Sequence, residues 1–303
     1  MSAFIMSTPT YAASSTIVPI ASKDGAHSEL IVTQPRDYPR HVIYWLPALG
    51  VPAKHYVPLA EAFAAHGIAM ALHEWRGIGS SDRRAGRHSD WGYRELLEAD
   101  IPVGVAATRA RWPNARLWMG GHSLGGQFAC LYASLHPHDV AGITLIASGA
   151  PFWRCFPRRA LIRCAYSLAS PLARLVGHLP GRRIGFGGNE ARGLIADWSF
   201  SGLTGRYRAN GMDVDLERRL ADVDVPVLAL RLRDDWLVPQ ASLDWLLDKM
   251  PKASRRVNVV SPERLAGQRA DHFTWMKGPG PLAVQLAQWI DDMSVRPVGA
   301  TQP

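Results

Sequence analysis

From residue 41 onward the chain alternates, over more than 100 residues, between short apolar runs and stretches with apolar residues at helical spacing. "HVIYWLPAL", "IAMALHEW", "ARLWMG" and "VAGITLIASGA" are too continuously apolar for half-exposed strands and suit strands buried on both faces. Between them, "HYVPLAEAFAAHG" ends on Gly67 as a C-cap. A long amphipathic segment runs from near Asp90 to just before Pro113, and another helix is expected from Leu124 to about His136. Parallel strands need crossover connections, usually helices, so this alternation restricts the chain to an α/β architecture: a mostly parallel central sheet with helices on both faces. A hairpin precedes it, with "STIVPI" and "SELIVTQP" flanking a Lys23-Asp24-Gly25 turn.

The alternation breaks at Pro151. It returns with "DLERRLADV", the strand "PVLALRLRDD", the helix "QASLDWLLDKM", the strand "RRVNVV" and a last helix "PLAVQLAQWIDDM". The simplest organisation is one core, residues 1–150 and 213–303, with residues 151–212 inserted as a mainly helical cap. The first half of the insertion reads as helical and the second half as irregular. It holds ten arginines, no lysine, and only Glu190 and Asp197 as acids, so it carries the whole net charge of +8. The first ~12 residues read as a disordered tail without the positive charge of a secretion signal. No apolar run approaches the ~20 residues that span a bilayer. Cys130, Cys155 and Cys164 show no metal or redox spacing, and reduced thiols in a cytoplasmic protein are expected.

In "LWMGGHSLGGQF", residues 117–128, Gly121-His122-Ser123-Leu124-Gly125 fits G-x-S-x-G. The pattern carries meaning only where a strand precedes it and a helix follows, and both are expected here. A serine hydroxyl is a poor nucleophile and needs a base beside it. A sharp strand-to-helix turn lifts it above the sheet and tolerates no bulk at either flank, hence the glycines. Such a turn places the Leu124 amide at a helix N-terminus, where it favours an oxyanion.

A nucleophile–base–acid set in the chain order Ser, Asp, His finds its acid in "RLRDDWLVP" and its histidine in "RADHFTWM". Asp234 and Asp235 compete for the first role. Asp235, four residues before Pro239 with Leu237-Val238 between, is preferred. His272 lies in a loop after the last strand. His122 is expected to point away from the reacting centre, and His136 and His138 end a helix. His41, His55, His73 and His88 show no metal-ligand spacing. "GGHSLGG" lacks the Lys-Ser/Thr ending of a phosphate loop, and "RGIGSS" lacks the third glycine of a dinucleotide fingerprint, so no cofactor is expected. A second oxyanion donor should come from the loop Pro47-Ala48-Leu49-Gly50-Val51, and the Leu49 amide is assigned.

Taken together, "PALGV", "EWRGIGSS", "GHSLGG", "DDWLVP" and "DHF" resemble the α/β-hydrolase superfamily over roughly residues 40–292. The stretches "PALGV", "GHSLGGQ", "ASGAPFWR" and "PGRRIG" are similar to those of a little-characterised bacterial subfamily of serine hydrolases. The resemblance implies the α/β-hydrolase fold and a cytoplasmic, cofactor-free esterase or thioesterase with Ser123, Asp235 and His272 as triad. Two departures stand out. Glu74 occupies a position where aspartate is usual, read as structural. Pro47-Ala48 replaces the His-Gly pair common in the oxyanion loop.

The expected partner is a small acyl substrate. The insertion, with Phe152, Trp153, Phe156, Tyr166, Trp198 and Phe200 beside its arginines, could line an acyl pocket and hold an anionic group, or could be a solvated basic face. No helix-turn-helix, zinc-finger or RNP pattern accompanies the basic charge, so nucleic acid is not expected. A peptidase or carbon–carbon hydrolase with the same machinery stays open. So does a non-catalytic receptor or a membrane-surface module using the basic insertion.

Overall fold

The computed structural model describes residues 14–295; the expected N-terminal tail lies outside them. β1 (Ser14–Ala21) and β2 (His27–Gln34) form the expected antiparallel hairpin, with Ser14 opposite Gln34. β3 (His41–Leu46), α1 (Val57–Ala64) and β4 (Ile68–Leu72) follow. Next come a single helical turn α2 (Tyr93–Glu95), a π-turn over Leu96–Asp100, and α3 (Ile101–Arg111). β5 (Arg116–His122), α4 (Leu124–Leu135) and β6 (Ile143–Ile146) complete the first half.

The insertion contains α5 (Arg159–Val176), the two-residue strands β7 (Leu179–Pro180) and β8 (Asn189–Glu190) around α6 (Gly181–Ile184), and α7 (Arg192–Thr204). α8 (Leu216–Ala221), β9 (Val227–Leu232), α9 (Gln240–Leu247), β10 (Arg255–Val260) and α10 (Gly280–Val295) finish the described chain.

Eight strands form one sheet in the order β1-β2-β4-β3-β5-β6-β9-β10. The six from β4 to β10 are parallel, with His41 of β3 opposite Ile68 and Arg116, while β2 joins β4 antiparallel. Side chains alternate across a strand, which explains the unbroken apolar run of β3. Val42, Tyr44 and Leu46 enter the apolar layer on one face with Phe128. Ile43 and Trp45 enter the layer on the other face with Phe63, Trp118 and Ile290. Every loop that follows a parallel strand emerges at the same edge of the sheet, and all the candidate residues lie in those loops.

Two local expectations need correction. The amphipathic segment is a continuous helical run from Tyr93 to Arg111, as expected, but it is not α-helical throughout. It starts at Tyr93, with Glu95 Oε2 accepting the Gly92 N–H at 2.7 Å, and passes through the π-turn just before Pro102. Proline supplies no N–H to the preceding turn, so the local hydrogen-bond register shifts there. The second half of the insertion is also not irregular, since α7 is 13 residues long. It lacks a readable apolar stripe because it is enclosed on several sides and buries Asp197, Ser199 and Ser201 along with Leu194 and Ile195. Asp197 accepts the Tyr93 N–H at 3.0 Å and the Asn210 N–H at 3.2 Å, which tie the helix to its neighbours.

Candidate active site

Ser123 stands between β5 and α4 with φ 55° and ψ −119°. A non-glycine residue in this region stores roughly 1–3 kcal/mol of strain, which the surrounding structure must hold. It is held by its N–H donating to the Ile146 carbonyl at 3.2 Å and by its carbonyl accepting the Gly126 N–H at 3.1 Å. A Cβ on Gly125 would run into the Leu46 carbonyl oxygen, and one on Gly121 into the Gly125 backbone. The glycines are therefore required by the packing of the elbow against β3.

Asp235 and His272 meet. His272 Nδ1 lies 2.7 Å from Asp235 Oδ2, and both side chains are buried. The other carboxylate oxygen, Oδ1, accepts the backbone N–H groups of Leu237 at 2.9 Å and Val238 at 3.2 Å. Those bonds fix the carboxylate plane, so the turn after β9 aims it at the imidazole. Asp234 points elsewhere. Its backbone N–H donates to the Ala270 carbonyl at 2.9 Å and its Oδ2 accepts the Ala270 N–H at 3.4 Å, pinning the loop that carries His272. The same loop is locked by Asp271, whose Oδ1 accepts the Phe273 and Thr274 N–H groups at 3.2 and 2.8 Å. The Trp275 indole N–H donates to the His272 carbonyl at 2.9 Å.

His122 does not point away from this centre. It is fully buried beneath it, its ring centroid 4.7 Å from that of His272. Burial, reinforced by repulsion from His272, holds its pKa well below the ordinary value. Its Nδ1 lies 2.8 Å from the Tyr56 hydroxyl, which itself accepts the Ala48 N–H at 2.9 Å. A neutral His122 that accepts the Tyr56 O–H at Nδ1 carries its own proton on Nε2. This ring is the link between the elbow and His272. Among the described residues the Ser123 hydroxyl forms no hydrogen bond with the imidazole.

The Tyr56 contact also occupies the Ala48 amide. Among the described residues no protein acceptor meets the N–H of Leu49 or of Leu124, and the first amides of a helix such as α4 have no intrahelical partner. Leu49 and Leu124 line one cavity of about 20 Å³, room for a single water. Trp75, Trp91, Leu194 and Glu190 contribute to its walls. Gly50, at φ 73°, packs so closely on Gly187 and Gly188 of the insertion that a Cβ would strike their backbone. Burial lifts the Glu190 carboxyl to about 6, against the opposing pull of the Gly188 N–H it accepts at 2.7 Å and of the Arg182 charge.

Glu74 behaves as a clasp and takes no part in this cavity. It is buried, and its carboxylate accepts the Ala53 N–H at 3.0 Å and the Ser80 N–H at 3.4 Å, joining the loops after β3 and β4.

Known proteins place this arrangement. The family model described as serine aminopeptidase, S33, matches residues 37–183. A non-heme chloroperoxidase from Streptomyces lividans is 27% identical over 209 residues, covering 63% of this chain and 71% of that protein. Among solved structures, a soluble variant of monoglyceride lipase from Saccharomyces cerevisiae, in complex with a substrate analog, superposes with a TM-score of 0.65. It has 14% identity and covers 98% of this chain and all of that one. Est1E from Butyrivibrio proteoclasticus with ferulic acid bound gives a TM-score of 0.60 at 13% identity, covering 91% of this chain and 99% of that one.

The chain has the α/β-hydrolase fold.

In this fold the strand-to-helix turn that carries Ser123 is legible from the glycine spacing, and the place of Asp235 from the strand that precedes it. Tyr56 and Asp271 are not singled out by the sequence, and His122 is expected there only to point away. Only Asp271 had a local signal, an aspartate three residues before a threonine at a turn start. Among the described residues no group of His, Cys, Asp and Glu side chains could hold a metal ion. Cys130, Cys155 and Cys164 are all free thiols.

Proposed function

We propose that this chain is a serine hydrolase cleaving an ester or thioester through an acyl-enzyme. Ser123 is the nucleophile, and His272 Nε2 takes its proton. Asp235 keeps that proton acceptor on Nε2 by holding the Nδ1–H tautomer, and stabilises the imidazolium once it forms. The tetrahedral oxyanion faces the Leu49 and Leu124 N–H groups, donors already in place and not otherwise engaged. His272 then protonates the leaving group, and water, deprotonated by the same imidazole, releases the acyl chain. The reaction requires the Ser123 hydroxyl to come within hydrogen-bond reach of Nε2, a contact of a kind that tightens on substrate binding. The observation that carries the reading is the His272–Asp235 pair, buried and 2.7 Å apart, beside a serine held in a left-handed turn.

Residues 151–212 act as a cap in this reading. The contact of Gly187 and Gly188 with Gly50 brings the insertion onto the oxyanion loop, and the apolar wall of Trp75, Trp91 and Leu194 suits the carbon skeleton of a small acyl substrate.

The test is a panel of p-nitrophenyl and CoA esters of graded chain length. At least one should be turned over, and Ser123→Ala should lower kcat by about 10⁴-fold or more on a folded protein. A wild type inert on the whole panel, or a variant as active as wild type, would overturn the reading.

The chloroperoxidase relative favours a second reading. Hydrogen peroxide attacking the same acyl-enzyme in place of water would release a peracid, which oxidises halide. Bromide oxidation that needs both acetate and peroxide, and disappears in Ser123→Ala, would select it.

A further inference from the structure

α5 carries more apolar surface than the protein covers. Only Tyr166 and Ala173 of its 18 residues are buried. Leu161, Leu168 and Leu175 are 61%, 61% and 75% exposed, Leu172 is 37% exposed, and Ile184 on the following turn is 57% exposed. Leu161, Ala165, Leu168, Leu172 and Leu175 recur at alternating spacings of four and three, so they form one continuous stripe along the helix. This stripe is next to the inward face and wider than a core-packing helix needs. Cys164, also exposed, lies within it.

The same segment is the basic one. Arg158, Arg159 and Arg163 crowd the start of α5, where the helix dipole disfavours positive charge and no side chain caps the first turn. Of the ten arginines in the insertion, Arg192 alone forms a salt bridge among the described residues, with Asp90 at 3.4 Å. Arg159, Arg163 and Arg174 lie on the side of α5 opposite the stripe, and an exposed leucine face backed by a cationic face matches one partner chemistry, a bilayer surface with anionic headgroups over an apolar interior.

We propose that α5 docks this protein on the surface of anionic membranes, its leucines entering the headgroup–acyl boundary and its arginines meeting lipid phosphate. The attachment is peripheral, since among the described residues no helix is long and apolar enough to cross a membrane. The insertion follows β6, so it rises from the same sheet edge as the loops of Asp235 and His272. Those loops expose Trp236 and Phe273. Docking through α5 therefore presents the site-bearing end of the molecule to the bilayer. The proposal does not depend on the catalytic reading.

The experiment is co-sedimentation of the full chain with phosphatidylcholine vesicles, with and without phosphatidylglycerol, at low and high salt. A polarity-sensitive dye on Cys164, in a Cys155→Ser background, reports the face in contact. Partition should appear on the phosphatidylglycerol vesicles, weaken with salt, and shift the dye to the blue. Replacing Arg158 and Arg159 together by Gln should lower it roughly 30-fold. Replacing Leu168 and Leu175 together by Ser should lower it about tenfold or more, with thermal unfolding unchanged because both are exposed. No sedimentation, equal partition on neutral vesicles, or indifference to the leucine variants would overturn the proposal. So would a dimer in sedimentation velocity that the leucine variants abolish, which would assign the stripe to a second copy.

Discussion

In the loops at the sheet edge, each acidic side chain around the candidate site has a defined task. Asp235 holds an imidazole and two amides, Asp234 and Asp271 fix the His272 loop, and Glu74 ties the loops after β3 and β4. In residues 151–212 the pattern is inverted. Nine of ten arginines have no salt-bridge partner among the described residues, and the leucines of α5 face outward. The acidic side chains of the first region are satisfied within the chain. The second leaves leucines and guanidinium groups facing solvent, and these are the groups the membrane proposal uses.

The sharpest way to break this comparison is to exchange the roles of the two adjacent aspartates. Asp235→Asn should lower kcat by about 10⁴-fold, because an amide can donate to Nδ1 and favours the wrong imidazole tautomer. Asp234→Asn should leave turnover near wild type and cost about 1 kcal/mol of stability from its weakened tie to Ala270. Ester kinetics beside denaturant unfolding of the two variants check both. Equal losses of activity would mean that the loops act only as a scaffold.

Glu190 tests the boundary between the regions. Its carboxyl is lifted to about 6 by burial, so the folded chain holds that proton more tightly than the unfolded one. The stability from this group is complete below the unfolded carboxyl range and is lost as pH rises through about 6, about 2 kcal/mol in total. Glu190→Gln can still accept the Gly188 N–H and cannot ionise. It should raise the thermal midpoint near pH 8 and leave it unchanged near pH 4. A variant destabilised at both values would show that the carboxylate is a required anchor.

The smallest effect belongs to the start of α5. Arg158→Glu replaces an exposed cation at a helix N-terminus by an anion, and should stabilise the fold by about 0.5 kcal/mol. A loss of stability there would mean that the arginine has a partner within the protein.

How much of this could be read from sequence follows the same division. The strands are legible because the interiors of β3, β4 and β5 are buried on both faces and so read as continuous apolar runs. The elbow was legible because backbone collisions at Gly121 and Gly125 admit no other residue. Asp235 was legible from its place after β9. His122 was misread because its direction depends on Tyr56, 66 residues away, and on the ring of His272. α7 was missed because a helix enclosed on several sides needs no apolar stripe. The charge of the insertion was visible as composition, but which leucines of α5 stay exposed is a property of the packing against α7, which no local pattern encodes.

The central claim is that Ser123 is activated by His272, and covalent trapping tests it most directly. Treatment with a fluorophosphonate, followed by mass-spectrometric mapping, should place a single adduct on Ser123, and His272→Gln should slow its formation by orders of magnitude on a folded protein. An adduct on another residue, an unreactive wild type, or a His272→Gln variant labelled at the wild-type rate would contradict the account.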